Sequence, residues 1–138
     1  MNTTVDQPSP TVAVIGLEGE LDASNFAGLI ATGRRLYVEG ARVLVLDLAG
    51  LTFMASSGIV ALHSLARVFQ GHEPPDLEAG WQAIHDIGAD VDGGASLDHV
   101  RLVAPGPAVD RVLDRTGLKR LMPVFATTEA ALAGGAGG

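Results

Sequence analysis

Residues 43–70, VLVLDLAGLTFMASSGIVALHSLARVFQ, constrain the fold of this chain more than any other stretch. Residues 43–48 are a dense aliphatic and β-branched run with one acid, Asp47, near the end. No alternate position in it is polar enough to face water, so it reads as a strand buried on both faces. Ser56-Ser57-Gly58 then opens a helical pattern, with Ile59, Leu62, Leu65, Ala66 and Phe69 on one side and Gly71 as its stop. A strand, a short loop, a serine pair and a helix make this junction the first candidate for a working site.

Two physical readings compete at Ser56 and Ser57. A serine hydroxyl at a helix start accepts a bond from an N–H of the first turn, so both residues read as caps. A hydroxyl presented by this loop is also a candidate phosphorylation site, because a helix N-terminus receives added negative charge favourably. Spacing alone leaves both open.

Charge narrows the function classes. The net charge is −7, which argues against a nucleic-acid surface built from clustered Lys and Arg. The whole excess lies in residues 71–99, which hold seven acids and no Lys or Arg. Without cysteine there is no disulfide framework and no thiolate chemistry. No apolar run approaches the ~20 residues that span a bilayer. Residues 1–10 lack the basic start and apolar centre of a secretory signal, so the expected location is the cytoplasm.

Residues 1–10 are polar, with Pro8 and Pro10, and are expected to be a disordered lead-in to a domain spanning 11–133. A first clear strand runs from Thr11 to Leu17, and Gly19 to Asp22 turns the chain out of it. Asp22 or Ser24 caps a helix whose apolar side is Phe26, Leu29, Ile30, Gly33, Leu36 and Tyr37, with Gly40 as its end. Glu20 and Asp22 invite an acid–base reading, but no second convergent group is visible, and alternate acids at a strand end usually serve turns.

The acidic stretch 71–99 reads as an insertion before the third clear strand. Pro74-Pro75, Gly88 and Gly93-Gly94 punctuate it, and Leu77, Trp81, Ile84 and Ile87 recur at helical spacing. Trp81 is either an anchor to the body or a partner-facing contact. Asp90 to Gly93 has the look of a calcium loop, but Gly88 and His99 fall where its first and last ligands belong, so no metal site is expected. Beyond it come a strand at 100–103, a helix presenting Val109, Val112 and Leu113, a strand at 123–126 and a brief helix at 128–133. Residues 134–138 are a glycine-rich tail expected to be disordered. The alternation implies one small α/β domain with a largely parallel sheet and crossover helices.

Four segments, in order, resemble the STAS domain family, and in particular its anti-sigma factor antagonists. They are Gly19-Glu20-Leu21-Asp22, the strand leading into Ser56-Ser57-Gly58, the helix from Val109 ending in Thr116-Gly117-Leu118, and the helix opening at Thr127. The resemblance covers residues 11–70 and 99–132. It implies a small STAS fold, opening with an additional strand that residues 1–10 would leave short or missing. It also implies a non-enzymatic module, without cofactor, that binds a serine-kinase anti-sigma factor through Asp22, Ala55, Ser56, Ser57 and Gly58. The phosphorylated serine of the family maps onto Ser56, with Ser57 the alternative, and the family's preceding aspartate is Ala55 here. The runner-up reading is a STAS scaffold of a stress-signalling complex or a partner of a transport ATPase. A hydrolase using Ser56 and His63 is disfavoured, because no Gly-x-Ser-x-Gly elbow is present.

Overall fold

A computed structural model describes residues 1–71 and 99–134. The acidic residues 72–98, with the helix expected around Trp81, and the glycine tail beyond 134 lie outside the described residues. The elements are β1 (Asn2–Ser9), β2 (Val12–Leu21), α1 (Phe26–Val38), β3 (Val43–Met54), α2 (Ser56–Phe69), β4 (Val100–Val103), α3 (Pro107–Thr116), α4 (Leu118–Leu121), β5 (Val124–Phe125) and α5 (Thr128–Gly134). They build one five-stranded mixed sheet in the order β1-β2-β3-β4-β5. β1 runs antiparallel to β2, and every other neighbouring pair is parallel. This is the small α/β domain that the alternation of elements implied.

β3 is central, and its first half is buried from both sides: Leu44, Val45 and Leu46 are all inaccessible. Ala13, Ile15, Leu17, Leu44, Leu46, Leu48, Val100 and Leu102 face the larger core with α1, α2 and α3. Val45 and Val103 face the other side, where α5 covers them with Ala131 and Leu132. Arg101 also points there, almost fully buried, and its Nη1 donates to the Ala131 carbonyl at 2.9 Å. A guanidinium placed on a carbonyl of α5 ties that short helix to the sheet.

One expectation fails at the N-terminus. Residues 2–9, expected to be a disordered lead-in, form β1, with Asn2 opposite Glu18 and Ser9 opposite Val12. The side chains of this edge strand are nearly all exposed, so hydropathy gave no signal for it. Its order comes from backbone pairing to β2. The pairing register shifts between Asp6 and Ser9, around Pro8, which has no N–H to offer the ladder.

α1 ends on Gly40, at φ 123°, in a Schellman arrangement. Gly40 N–H donates to the Tyr37 carbonyl and Ala41 N–H to the Leu36 carbonyl, at 3.1 and 2.9 Å. Midway along α1, Gly33 lets α2 approach closely: a Cβ there would collide with Cδ2 of Leu65, which is fully buried. Gly28, on the exposed side, has open space around it.

Two substitutions in this one helix therefore have opposite signs. Gly33→Ala overpacks the α1–α2 contact and should destabilise the domain by about 1–3 kcal/mol. Gly28→Ala should stabilise it by about 0.4–1 kcal/mol, because it removes freedom from the unfolded chain without a clash. Denaturant midpoints of the two variants check the pair, and equal shifts would refute the close approach at Gly33.

Candidate functional site

The carboxyl ends of β2 and β3 lie side by side, with Leu21 opposite Met54. The pairing continues one step past the strands, where Ala55 N–H donates to the Leu21 carbonyl at 2.9 Å. That bond sets the Asp22 turn against the start of α2. Gly58 completes the junction, because a Cβ on it would run into Met54 and come within 3.0 Å of Leu21. Of the candidate residues, Gly58 is therefore required by packing: only a bare backbone lets this helix start so close to the strand ends.

Ser56 and Ser57 are not caps. The N-cap position is Ala55, at φ −78° and ψ 174°, and no side chain caps α2. Ser56 and Ser57 are its first two helical residues; Ser56 is exposed and Ser57 half-buried. The capping reading fails because the helix starts one residue earlier than a serine cap requires. It starts on a residue with no acceptor, at the position where the resemblance expects aspartate.

Asp22 does not cap α1 either, and neither does Ser24. The N-cap of α1 is Asn25, and the Asp22 carboxylate turns back on its own loop. Its Oδ1 accepts from Ser24 N–H at 2.9 Å and from the Ser24 hydroxyl. Asn25, which sequence reasoning passed over, holds the turn from both sides. Its Oδ1 accepts from Asp22 N–H at 3.0 Å and its Nδ2 donates to the Glu20 carbonyl at 2.8 Å. An Asn after an acidic strand end is a turn signal, because its amide can bond its own neighbouring backbone. The Ser24 hydroxyl, followed by the Ser24 N–H, holds the Asp22 carboxyl below the usual carboxylate range. Asp22 therefore stands ionised beside the α2 start.

The arrangement does not suit nucleophilic hydrolysis. Ser56 is exposed, whereas His63 is fully buried and lies seven residues along the same helix, about 10 Å of rise. Among the described residues, no three His, Asp or Glu side chains gather as a metal site would require, and no helix is long and apolar enough to cross a membrane.

Two outcomes follow from this geometry. Ala55→Asp should stabilise the protein by about 1 kcal/mol, since it supplies an N-cap acceptor and a negative charge at an uncapped helix start. A thermal or denaturant midpoint that falls would contradict the placement of Ala55 at the cap. Ser24→Ala should move the Asp22 titration up towards its ordinary value. A carboxyl whose folded pKa is depressed adds stability above its unfolded pKa and loses it as pH falls through the folded one. The variant should thus lose part of the stabilisation that the wild type holds above the unfolded pKa, and its stability should fall less steeply as pH drops through the acid range. A carboxyl-carbon NMR titration reads it directly.

In comparisons with known proteins, the family model of the STAS domain matches residues 4–73, just over half of the chain, including Asp22 and Ser56. Among solved structures, the anti-sigma factor antagonist SpoIIAA in its unphosphorylated form is similar, with a TM-score of 0.71 and 21% identity over 99% of this chain and 97% of that one. The phosphorylated form of the Bacillus cell fate determinant SpoIIAA gives a TM-score of 0.62 and 19% identity over 96% and 97%. The STAS domain of a SulP transporter from Vibrio cholerae gives 0.57 and 21% over 96% and 85%. At these identities the likeness is one of fold. No curated protein matches in sequence. With the five-stranded sheet and the strand–serine–helix junction in place, the family match gives the assignment: the chain belongs to the STAS domain family.

Proposed function

We propose that this chain is a phosphorylation-switched regulatory binding module of the anti-sigma factor antagonist type, not an enzyme, working in the cytoplasm. In its unphosphorylated form it binds a serine-kinase anti-sigma factor or a related switch kinase through Asp22, Ala55, Ser56, Ser57 and Gly58. Phosphorylation of Ser56 breaks that complex. One observation carries the reading: Ser56 is the exposed hydroxyl in the first turn of a helix with no side-chain cap. A kinase can reach it, and the first-turn N–H groups can hold what it adds. The half-buried Ser57 is the lesser candidate.

A phosphate adds about −1.5 to −2 charge and three acceptor oxygens. Gly58 is packed against Leu21 and Met54, so the junction has little room to rearrange. The effect of the phosphate is then on the surface. A partner shaped for a neutral hydroxyl meets a hydrated dianion, whose desolvation opposes docking. The likeness to SpoIIAA in both its unphosphorylated and phosphorylated forms supports this reading.

A second reading is favoured by the likeness to the SulP transporter STAS domain together with the absence of a carboxylate at Ala55. In it the domain is a scaffold subunit of a stress-signalling complex or an accessory partner of a transport ATPase, and Ser56 is unmodified.

Mass spectrometry of protein from its native cell should find phosphate on Ser56. Ser56→Asp should bind the partner more weakly than Ser56→Ala, with both variants folded. Phosphate confined to Ser57, or an Asp variant that binds as tightly as the Ala variant, would sink the assignment to Ser56. Recovery of a transporter or a large STAS assembly would favour the second reading.

A further inference from the structure

β3 carries two residues more than β2 over the length of their pairing. Gly16 pairs with Asp47 but Glu18 with Gly50; Gly19 pairs with Leu51 but Glu20 with Phe53. The second extra residue is Thr52, whose hydroxyl donates to the Gly19 carbonyl at 3.0 Å. A bulge of this kind re-aims the next side chain. Here that side chain is Phe53, which is 49% exposed three residues before Ser56. Phe53 shares its side of the sheet with Glu20, its register partner, and with Glu18, whose stem covers the bare backbone of Gly50. Both acids are exposed. Residues 1–33 and 43–66 contain no Lys or Arg, and positive charge on this side comes from the Met1 amino terminus, which lies by Gly19 and acts on Asp22. Val38 is more exposed, at 77%, but it is a single apolar residue at the far end of the molecule, about 30 Å away along β3, with Arg35 and Glu39 near it in sequence. Lone exposed apolar residues are ordinary. A ring aimed outward by a bulge, rimmed by two exposed acids and adjacent to a candidate switch residue, is not.

We propose that Phe53 is the apolar anchor of the docking surface beside Ser56, and that its occupant is a protein surface with an apolar pocket flanked by Lys or Arg. The occupant is the switch-kinase partner, so the inference rests on the reading of Ser56 given above. Phe53 enters the pocket, Glu18 and Glu20 pair with the basic rim, and the Ser56 hydroxyl lies at the edge of the contact. Aromatic anchors surrounded by polar rims carry most of the binding at such interfaces, and rim charges mainly set the rate of encounter. A phosphate on Ser56 adds its desolvation cost next to the anchor, not at a remote site.

The test places a photo-crosslinking benzoyl-phenylalanine at position 53, or at position 38 as control, in the full chain within its native cell. The expected result is an adduct with an ATP-binding kinase from position 53 and none from 38. The Glu18→Lys, Glu20→Lys double variant should lose that adduct. With the crosslinked protein purified, Phe53→Ala should weaken binding at least about tenfold with an unchanged thermal midpoint. An adduct from 38 alone, no adduct from 53, an adduct only with a second copy of this chain, or a Phe53→Ala affinity within twofold of wild type would overturn the anchor. An intact kinase adduct from 53 in the Ser56→Asp background would leave the anchor standing and defeat the Ser56 switch. Loss of binding in Ser56→Asp with a silent Phe53→Ala would do the reverse.

Discussion

The candidate site of this molecule depends on one interaction, the parallel pairing of β2 with β3. Both strands finish at the same level only because β3 absorbs two extra residues, and the pairing then runs on into the bond from Ala55 N–H to the Leu21 carbonyl. That ladder brings the Asp22 turn, the Phe53 ring and the first turn of α2 to one edge. A slip of one residue would carry Leu44, Leu46 and Leu48 to the opposite side of the sheet and break both apolar layers, so burial on two faces fixes the register firmly. The site inherits its precision from the core.

Two glycines transmit that precision to the helices. Gly33 lets Leu65 nest against α1, and Gly58 lets the start of α2 sit on Leu21 and Met54. Native interiors are packed closely enough that even one added methyl is felt. The junction is therefore a poor place for a conformational switch, and the proposed addition of a group to Ser56 asks for no repacking of it.

Much of this was legible in the sequence, for stated physical reasons. The apolar run at 43–48 announced a doubly buried strand because burial on both faces leaves no polar alternate position, and the 3.6-residue spacing from Phe26 to Tyr37 announced α1. β1 was not legible. Its stability comes from backbone bonds to β2, and the side chains of residues 2–8 face water, so nothing in their hydropathy reports the pairing. At the site, the residues were legible but their roles were not. Serine before a helix reads as a cap, yet whether it is the cap or the first helical residue turns on a shift of one position, and helix boundaries are blurred by more than that. Asp22 was similarly visible as a turn residue, but that its carboxylate folds back on Ser24 depends on Asn25 gripping the turn from both sides. The bulge at Thr52 left no trace in composition at all.

The placement of Ala55 changes what its substitution means. Set beside the family pattern, the alanine looks like the loss of a recognition carboxylate. In the fold it is also the N-cap, so the cap residue offers no side-chain acceptor to the first-turn N–H groups of α2. An aspartate there would partly neutralise the positive end of the helix and would repel a phosphate on the next residue. With alanine, neither happens. On the reading proposed above, a phosphate at Ser56 brings its oxygens to the end of the helix that lacks an acceptor, and the modified state gains from the helix terminus what a capping carboxylate would otherwise have taken. On the same reading, a kinase would meet fewer recognition groups at this position, while a phosphorylated domain would be held by a helix end that no aspartate neutralises. In such a switch the alanine would shift the balance from the ease of writing the mark towards its persistence once written.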